Sequence, residues 1–362
     1  MKNLLLILLI SISNQLFSQS DSIRLIKPTG NYPVGTITYE YTDTTRDIQL
    51  TSHKGDKRTI NVQIWYPATT DSSSISAPYS SLSKDYQKVS ANSFIRPSFN
   101  DEIDISNLII LAPGRGTERF LYTSIAEELA SYGFVVASVD MPQIGYVIYK
   151  DGLIIKPSSK FKPPRGMMGG PYEKVDKFFE EPTELGYHDL EFAYNKIVEL
   201  NRADPNNRFT NKIDCENIGI FGHSLGGRIA GKFTVQNKNV KAYISMEGIP
   251  PRDIRYNGKI DIPIAMLCSS GTWPYAKENY FSLIENRNSP VYMIELESFG
   301  HNSVTDNPLI YPSSFNYNID PILGLEISRT IVLNYFNFIF YNKISFSSSL
   351  QGIEQVKLSV YK

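Results

Sequence analysis

The chain has 362 residues, with 36 Lys and Arg against 37 Asp and Glu, and 12% of its residues are aromatic. A balanced charge gives no footprint for nucleic acid or an anionic surface, and the aromatic content suffices for a large core and an aromatic-lined pocket. The length exceeds the ~150 residues of an average domain, but sheets flanked by helices commonly grow by insertion, so a single domain over 19–362 is expected.

The N-terminus carries Lys2, an apolar run over 4–12 and a more polar stretch over 13–20. That is the layout of a basic n-region, a short h-region and a small-residue cleavage zone. The apolar run is too short for a bilayer, which takes about 20 residues. Residues 1–18 are therefore expected to be a signal peptide, and the mature chain to be exported (periplasmic or secreted) without a transmembrane span.

Thr36-Ile37-Thr38-Tyr39-Glu40-Tyr41 and Ile60-Asn61-Val62-Gln63-Ile64-Trp65 alternate as antiparallel strands do. The serine-rich stretch 69–98 lacks periodicity and is predicted to be a surface excursion. From Leu108 strands alternate with helices, which implies a parallel sheet covered on both faces. Leu108-Ile109-Ile110-Leu111 is a buried strand, and Leu121, Ile125 and Leu129 follow at helical spacing before Gly133, a C-terminal cap. The next strand is 134–139. Over 141–182 the pattern fails, because Pro163-Pro164-Arg165-Gly166 and Gly169-Gly170-Pro171 suit neither a helix nor a central strand. That excursion is expected above the strand C-termini, as a lid or pocket wall. Leu190, Tyr194, Ile197 and Val198 mark a helix, and Asn217-Ile218-Gly219-Ile220-Phe221 a strand.

Directly after that strand stands Gly222-His223-Ser224-Leu225-Gly226, followed by a helical pattern with Ile229, Ala230 and Phe233 on one side. A G-x-S-x-G between strand and helix is a nucleophile elbow. Its strained serine needs small neighbours at −2 and +2 so that strand and helix can pass. Further strands are predicted over 240–246, 262–267 and 291–296, and a closing helix over 325–341. The expected fold is α/β: an α/β-hydrolase with a mostly parallel central sheet, antiparallel N-terminal strands and helices on both faces.

A serine hydroxyl needs a base within hydrogen-bond reach, oriented by a carboxylate. Of the four histidines, His53 lies among the N-terminal strands, His188 on a solvated helix and His223 inside the elbow. His301 follows the last parallel strand, where the base of this fold belongs. The acid commonly follows the second strand beyond the elbow, but Cys268-Ser269-Ser270-Gly271-Thr272-Trp273-Pro274 has no carboxylate. The first strand beyond the elbow ends on Glu247, at the catalytic edge of the sheet, so Glu247 is the expected acid and Asp140 the reserve. Backbone N–H groups of Leu225 and Arg115 are expected to receive an oxyanion. No Cys/His spacing for zinc and no phosphate loop is present, so neither metal nor cofactor is expected. Cys215 and Cys268 should stand too far apart to pair, since bonded Cα atoms lie within about 7 Å.

These residues resemble the plasma-type platelet-activating factor acetylhydrolases. The likeness rests on Gly222-His223-Ser224-Leu225-Gly226-Gly227 with Glu247 and His301 beyond it, on 129–137, on Tyr32-Pro33-Val34-Gly35 and on Ile64-Trp65-Tyr66-Pro67. Pro113-Gly114 replaces that family's usual His-Gly, Glu247 its usual Asp, and 141–182 is unlike it. The resemblance implies calcium-independent hydrolysis of short or oxidised acyl esters, on phospholipids among others. The expected function is thus an exported serine carboxylesterase acting through Ser224, His301 and Glu247 on a small-molecule or lipid ester. The alternatives are an esterase for a non-lipid ester such as a polyester, and an inactive binding module; the oligomeric state is left open.

Overall fold

The computed structural model describes residues 22–48, 55–80, 86–169, 171–257, 260–284, 287–315 and 317–361. The leader expected over 1–18 and His53 lie outside them. Two long strands, β1 (Val34–Asp47) and β2 (Lys57–Thr69), pair antiparallel. They lead into β3 (Ser106–Ala112), β4 (Val135–Val139), β5 (Ile213–His223), β6 (Val240–Met246), β7 (Ile264–Ser269), β8 (Val291–Leu296) and β9 (Val356–Tyr361). Across the sheet these lie in the order β1-β2-β4-β3-β5-β6-β7-β8-β9. Pairing is parallel from β4 to β8 and antiparallel at both flanks.

The central strands are apolar on both faces because helices cover both. Ile109, Leu111 and Phe221 pack with α1 (Thr123–Ser131) and α6 (Pro321–Tyr341) through Ile125, Leu129, Ile331 and Phe336. On the other face Leu108, Ile110 and Ile220 meet α2 (Tyr172–Arg202) and α3 (Leu225–Gln236) through Leu190, Ile197, Ile229 and Phe233. Burying each such side chain stabilises the fold by roughly 1.5–3 kcal/mol. Two further helices, α4 (Arg252–Asn257) and α5 (Trp273–Ile284), flank α3 and the end of β7.

Chain order reverses at β3: it leads through α1 to β4 on one side, and the chain then crosses to β5 on the other. The loops leaving the C-termini of β3 and β5 therefore diverge and open a crevice, where ligands bind in sheets of this kind.

Three elements differ from expectation. Within 69–98, Val89–Ile95 is a strand that pairs with β1 at Gly35 and Thr36, and Ser76–Pro78 pairs with it in turn. The edge strand β9 follows the closing helix and was not expected. Finally, α2 begins at Tyr172 and carries Pro182 inside it, so the irregular excursion ends before Pro182. A proline leaves a carbonyl one turn back without its N–H. Nearby, the Thr183 hydroxyl donates to the Phe179 carbonyl, and the helix continues. The excursion itself holds a small antiparallel pair, Val147–Ile148 with Ile154–Ile155. Cys215 and Cys268 are buried and form no disulfide with each other; they lie toward opposite ends of β5 and β7, with β6 between them. Among the described residues no helix is long and apolar enough to cross a membrane.

Candidate active site

The turn from β5 to α3 holds Ser224 at φ 56°, ψ −122°, a sparsely populated conformation for a residue with a side chain. Strand and helix pass so closely that a methyl on Gly222 would sit 2.2 Å from the Gly226 carbonyl oxygen, and one on Gly226 2.1 Å from that of Ala112. Only glycine fits at either place. The Ser224 N–H donates to the Met246 carbonyl (2.8 Å), which ties the elbow to the end of β6.

Glu247 follows β6 directly, also at a left-handed φ of 54°. Its side chain is 1% exposed, and every hydrogen bond it accepts favours the charged form. Oε1 accepts from the Ser269 N–H, and Oε2 from the Thr272 hydroxyl (3.0 Å) and from His301 Nδ1 (3.2 Å). Burial opposes the charge, but His301 and these donors outweigh it and hold the carboxyl below its ordinary pKa. His301 Nε2 lies 3.0 Å from Ser224 Oγ. A proton on Nδ1, donated to Glu247, leaves the Nε2 lone pair facing the serine hydroxyl. The structure thus brings Ser224, His301 and Glu247 into one hydrogen-bonded run, a geometry able to take a proton from serine as it attacks a carbonyl carbon. Asp140, the reserve acid, instead pairs with Arg119 Nη1 (2.6 Å) and accepts from Asn61 Nδ2 (3.1 Å).

Arg115 and Leu225 both line the cavity beside Ser224, and among the described residues neither N–H has a protein acceptor. The Gly114 carbonyl accepts from the Thr117 N–H (3.2 Å) and hydroxyl (2.7 Å). In a trans peptide the Arg115 N–H must then point the opposite way.

His223 connects three loops. Its Nε2 faces the His301 carbonyl at 2.7 Å, so Nε2 carries the proton and donates. Nδ1 is left to accept from the Tyr122 hydroxyl (2.8 Å), which in turn accepts from the Gly114 N–H (3.0 Å). Burial, with His301 beside it, lowers the His223 pKa to about 3, so the ring is neutral across the working pH range. His188, by contrast, is exposed between Glu184 and Glu191. The residue pattern held no sign of Tyr122, Thr117, Ser269 or Thr272 as supports, except that the loop 269–272 is rich in small donors and lacks an acid.

The cavity has a volume of about 570 Å³, and Pro163 and Met168 of the excursion form part of its wall, with Val175, Phe179 and Ala276. A smaller cavity of about 340 Å³, between β1, β2 and residues 77–80, is lined by Asn61 and Arg119 but by none of Ser224, His301, Glu247, Arg115 or Leu225. Among the described residues no group of three His, Cys, Asp or Glu could hold a metal ion.

Comparison with known proteins agrees with the likeness read from the motifs. The family described as platelet-activating factor acetylhydrolase, isoform II, matches residues 17–143, a span that ends before the elbow. A probable 1-alkyl-2-acetylglycerophosphocholine esterase from Arthroderma benhamiae is 26% identical over 145 residues, 39% of this chain and 31% of that protein. The match thus spans about a third of that relative's length. A ferulic acid esterase from Streptomyces cinnamoneus superposes with a TM-score of 0.73 at 21% identity, covering 93% of this chain and 99% of that one. The chain has the α/β-hydrolase fold, and it resembles the platelet-activating factor acetylhydrolases.

Proposed function

We propose that the chain is an exported serine carboxylesterase for acyl esters of the short-chain or phospholipid type. The single observation that supports this most is the run Ser224 Oγ–His301 Nε2 (3.0 Å) and His301 Nδ1–Glu247 Oε2 (3.2 Å), at the mouth of an apolar cavity. Both relatives named above are called esterases.

In this reading Ser224 Oγ bonds to the ester carbonyl carbon while its proton passes to His301 Nε2. Glu247 fixes the imidazole tautomer and stabilises the imidazolium. The carbonyl oxygen becomes an oxyanion between the N–H groups of Leu225 and Arg115, where each such donor is worth roughly 10²–10³ in turnover. The alcohol leaves with the proton from His301, and a water deprotonated by the same ring releases the acid and restores the serine. The leader over 1–18 carries the export part of the proposal; it predicts a mature N-terminus just after Ser18 or Ser20, read by mass spectrometry.

A fluorophosphonate should label the purified protein and fail to label Ser224→Ala. A series of 4-nitrophenyl esters from acetate to decanoate then reads the acyl length the cavity accepts. Absence of both labelling and turnover at every length would overturn the reading.

A further inference from the structure

Arg228 sits on α3, four residues beyond Ser224, in the wall of the same cavity, and is 7% exposed. Its Nε donates to the Thr183 hydroxyl (3.1 Å) and its Nη1 to Asp176 Oδ1 (2.7 Å). Nη2 has no protein acceptor among the described residues. Behind it Arg255, 1% exposed, donates to the Pro250 carbonyl, to Asn279 and to the other oxygen of Asp176. Two guanidinium ions therefore share one carboxylate, and among the described residues no other acid pairs with either. Arg115 on the same wall pairs with no carboxylate among the described residues; its Nη2 donates to the Ser158 carbonyl (3.3 Å). The remaining acid in the wall, Glu247, is committed to His301, Ser269 and Thr272.

A buried unit charge without a counter-ion is costly, and here it faces an otherwise largely apolar cavity that adjoins Ser224. We propose that the cavity takes an ester whose acyl or alcohol part bears a carboxylate, and that Arg228 receives that carboxylate through Nη2. The proposal rests on the esterase reading and names the substrate class within it.

Two substrate pairs test it. Mono-4-nitrophenyl adipate against 4-nitrophenyl hexanoate places the charge on the acyl side, and 4-acetoxybenzoate against 4-acetoxybenzamide places it on the alcohol side. The charged member should have at least a ten-fold higher kcat/KM in one pair, and that pair identifies the side. In Arg228→Gln the ratio should fall to near one, while Arg228→Lys should keep part of it. Arg228→Gln leaves Asp176 paired one to one with Arg255, so the fold should survive; thermal melting checks this. Ratios near one in both wild-type pairs, or a preference that persists in Arg228→Gln, would overturn the proposal. Calorimetric titration of Ser224→Ala with 4-acetoxybenzoate and with adipate separates the two readings. Binding of either anion that weakens ten-fold or more when Arg228→Gln is added supports the anion site even if no ester is turned over, and absence of binding to both removes it.

Discussion

Replacing Glu247 by Gln changes one oxygen to an NH2, and the structure determines which. Oε1 accepts from the Ser269 N–H, whereas Oε2 accepts from Thr272 and His301. Turned with its NH2 toward Ser269, the amide would set one donor against the Ser269 N–H in a buried site, where neither can turn away, a loss of about 1–3 kcal/mol. The favoured orientation keeps the oxygen on Ser269 and presents the NH2 to Thr272, whose hydroxyl can turn its proton to the Ser269 carbonyl (3.2 Å), and to His301 Nδ1. That nitrogen must then accept, so the ring proton moves to Nε2 and the lone pair facing Ser224 is lost. The comparable Asp→Asn change in a serine protease, with geometry intact, lowers kcat by about 10⁴, and each factor of ten is about 1.4 kcal/mol of barrier. A fall of 10³–10⁴ in kcat is therefore expected for Glu247→Gln with 4-nitrophenyl acetate, and KM should change little because Glu247 touches the base rather than the ester. Fluorophosphonate labelling of Ser224 should slow by a similar factor. Turnover within ten-fold of the wild type, in a protein that melts normally, would refute the assignment of the acid.

Tyr122→Phe removes both the acceptor for the Gly114 N–H and the donor to His223 Nδ1; with two buried groups unpartnered, a loss of about 2–4 kcal/mol in unfolding free energy is expected by denaturant titration, with kcat lowered more than KM is raised. Gly226→Ala puts a methyl 2.1 Å from the Ala112 carbonyl oxygen, a backbone clash that no side-chain rotation relieves. It should destabilise by at least about 3 kcal/mol, or leave no folded protein to measure. Asp306 is fully buried, its Oδ1 has no partner among the described residues, and burial raises its pKa from 3.8 to about 7. Its folded form holds a proton that the unfolded chain has already released, so from this group stability falls as pH rises from about 4 to about 7, by roughly 1.4 kcal/mol per unit at most. Asp306→Asn should flatten that slope in melts recorded between pH 5 and 8. Glu247, whose pKa is lowered, has the opposite sign: its stabilisation is present above the ordinary carboxylate range and is lost on acidification through its folded pKa.

The parts of this molecule that are legible from sequence are those set by local chemistry. Gly222 and Gly226 flank Ser224 because strand and helix touch there, and a spacing of two residues records that contact. His301 and Glu247 are legible because each lies beyond the C-terminal end of a parallel strand, where chain direction alone brings the segment to the rim. The supports are not legible, since they come from other segments: Tyr122 reaches His223 across 101 residues, and Thr272 reaches Glu247 across 25. The start of α2 is hidden for a similar reason. Pro182 reads as a stop, and the helix passes it amid Thr183, Arg228 and Asp176, which are partners in space but not in sequence. Strand β9 does carry the alternation Val356, Leu358, Val360. It follows a helix that otherwise closes the chain, and its residues are half-exposed at an edge.

Placing the proposed acid, Glu247, one strand nearer the elbow changes how it must be held. At the end of β6 its backbone pairs with β7, the Glu247 N–H donating to the Leu267 carbonyl (2.7 Å), so the carboxylate sits beside the loop that leaves β7. That loop supplies no acid but does supply the Ser269 N–H and the Thr272 hydroxyl, both aimed at Glu247. The two strand ends together thus do the work of one, the first giving the charge and the second the donors that keep it ionised while buried. The same reasoning covers the second histidine. The rings of His223 and His301 are 4.8 Å apart, close enough that a charge on the first would oppose the imidazolium that the proposed mechanism forms on the second. Burial and the neighbouring His301 keep His223 neutral, and its one proton is spent on the His301 carbonyl. His223 can therefore stand against the proposed base without competing for the proton, and it binds the His301 loop to the elbow and, through Tyr122, to the Gly114 turn.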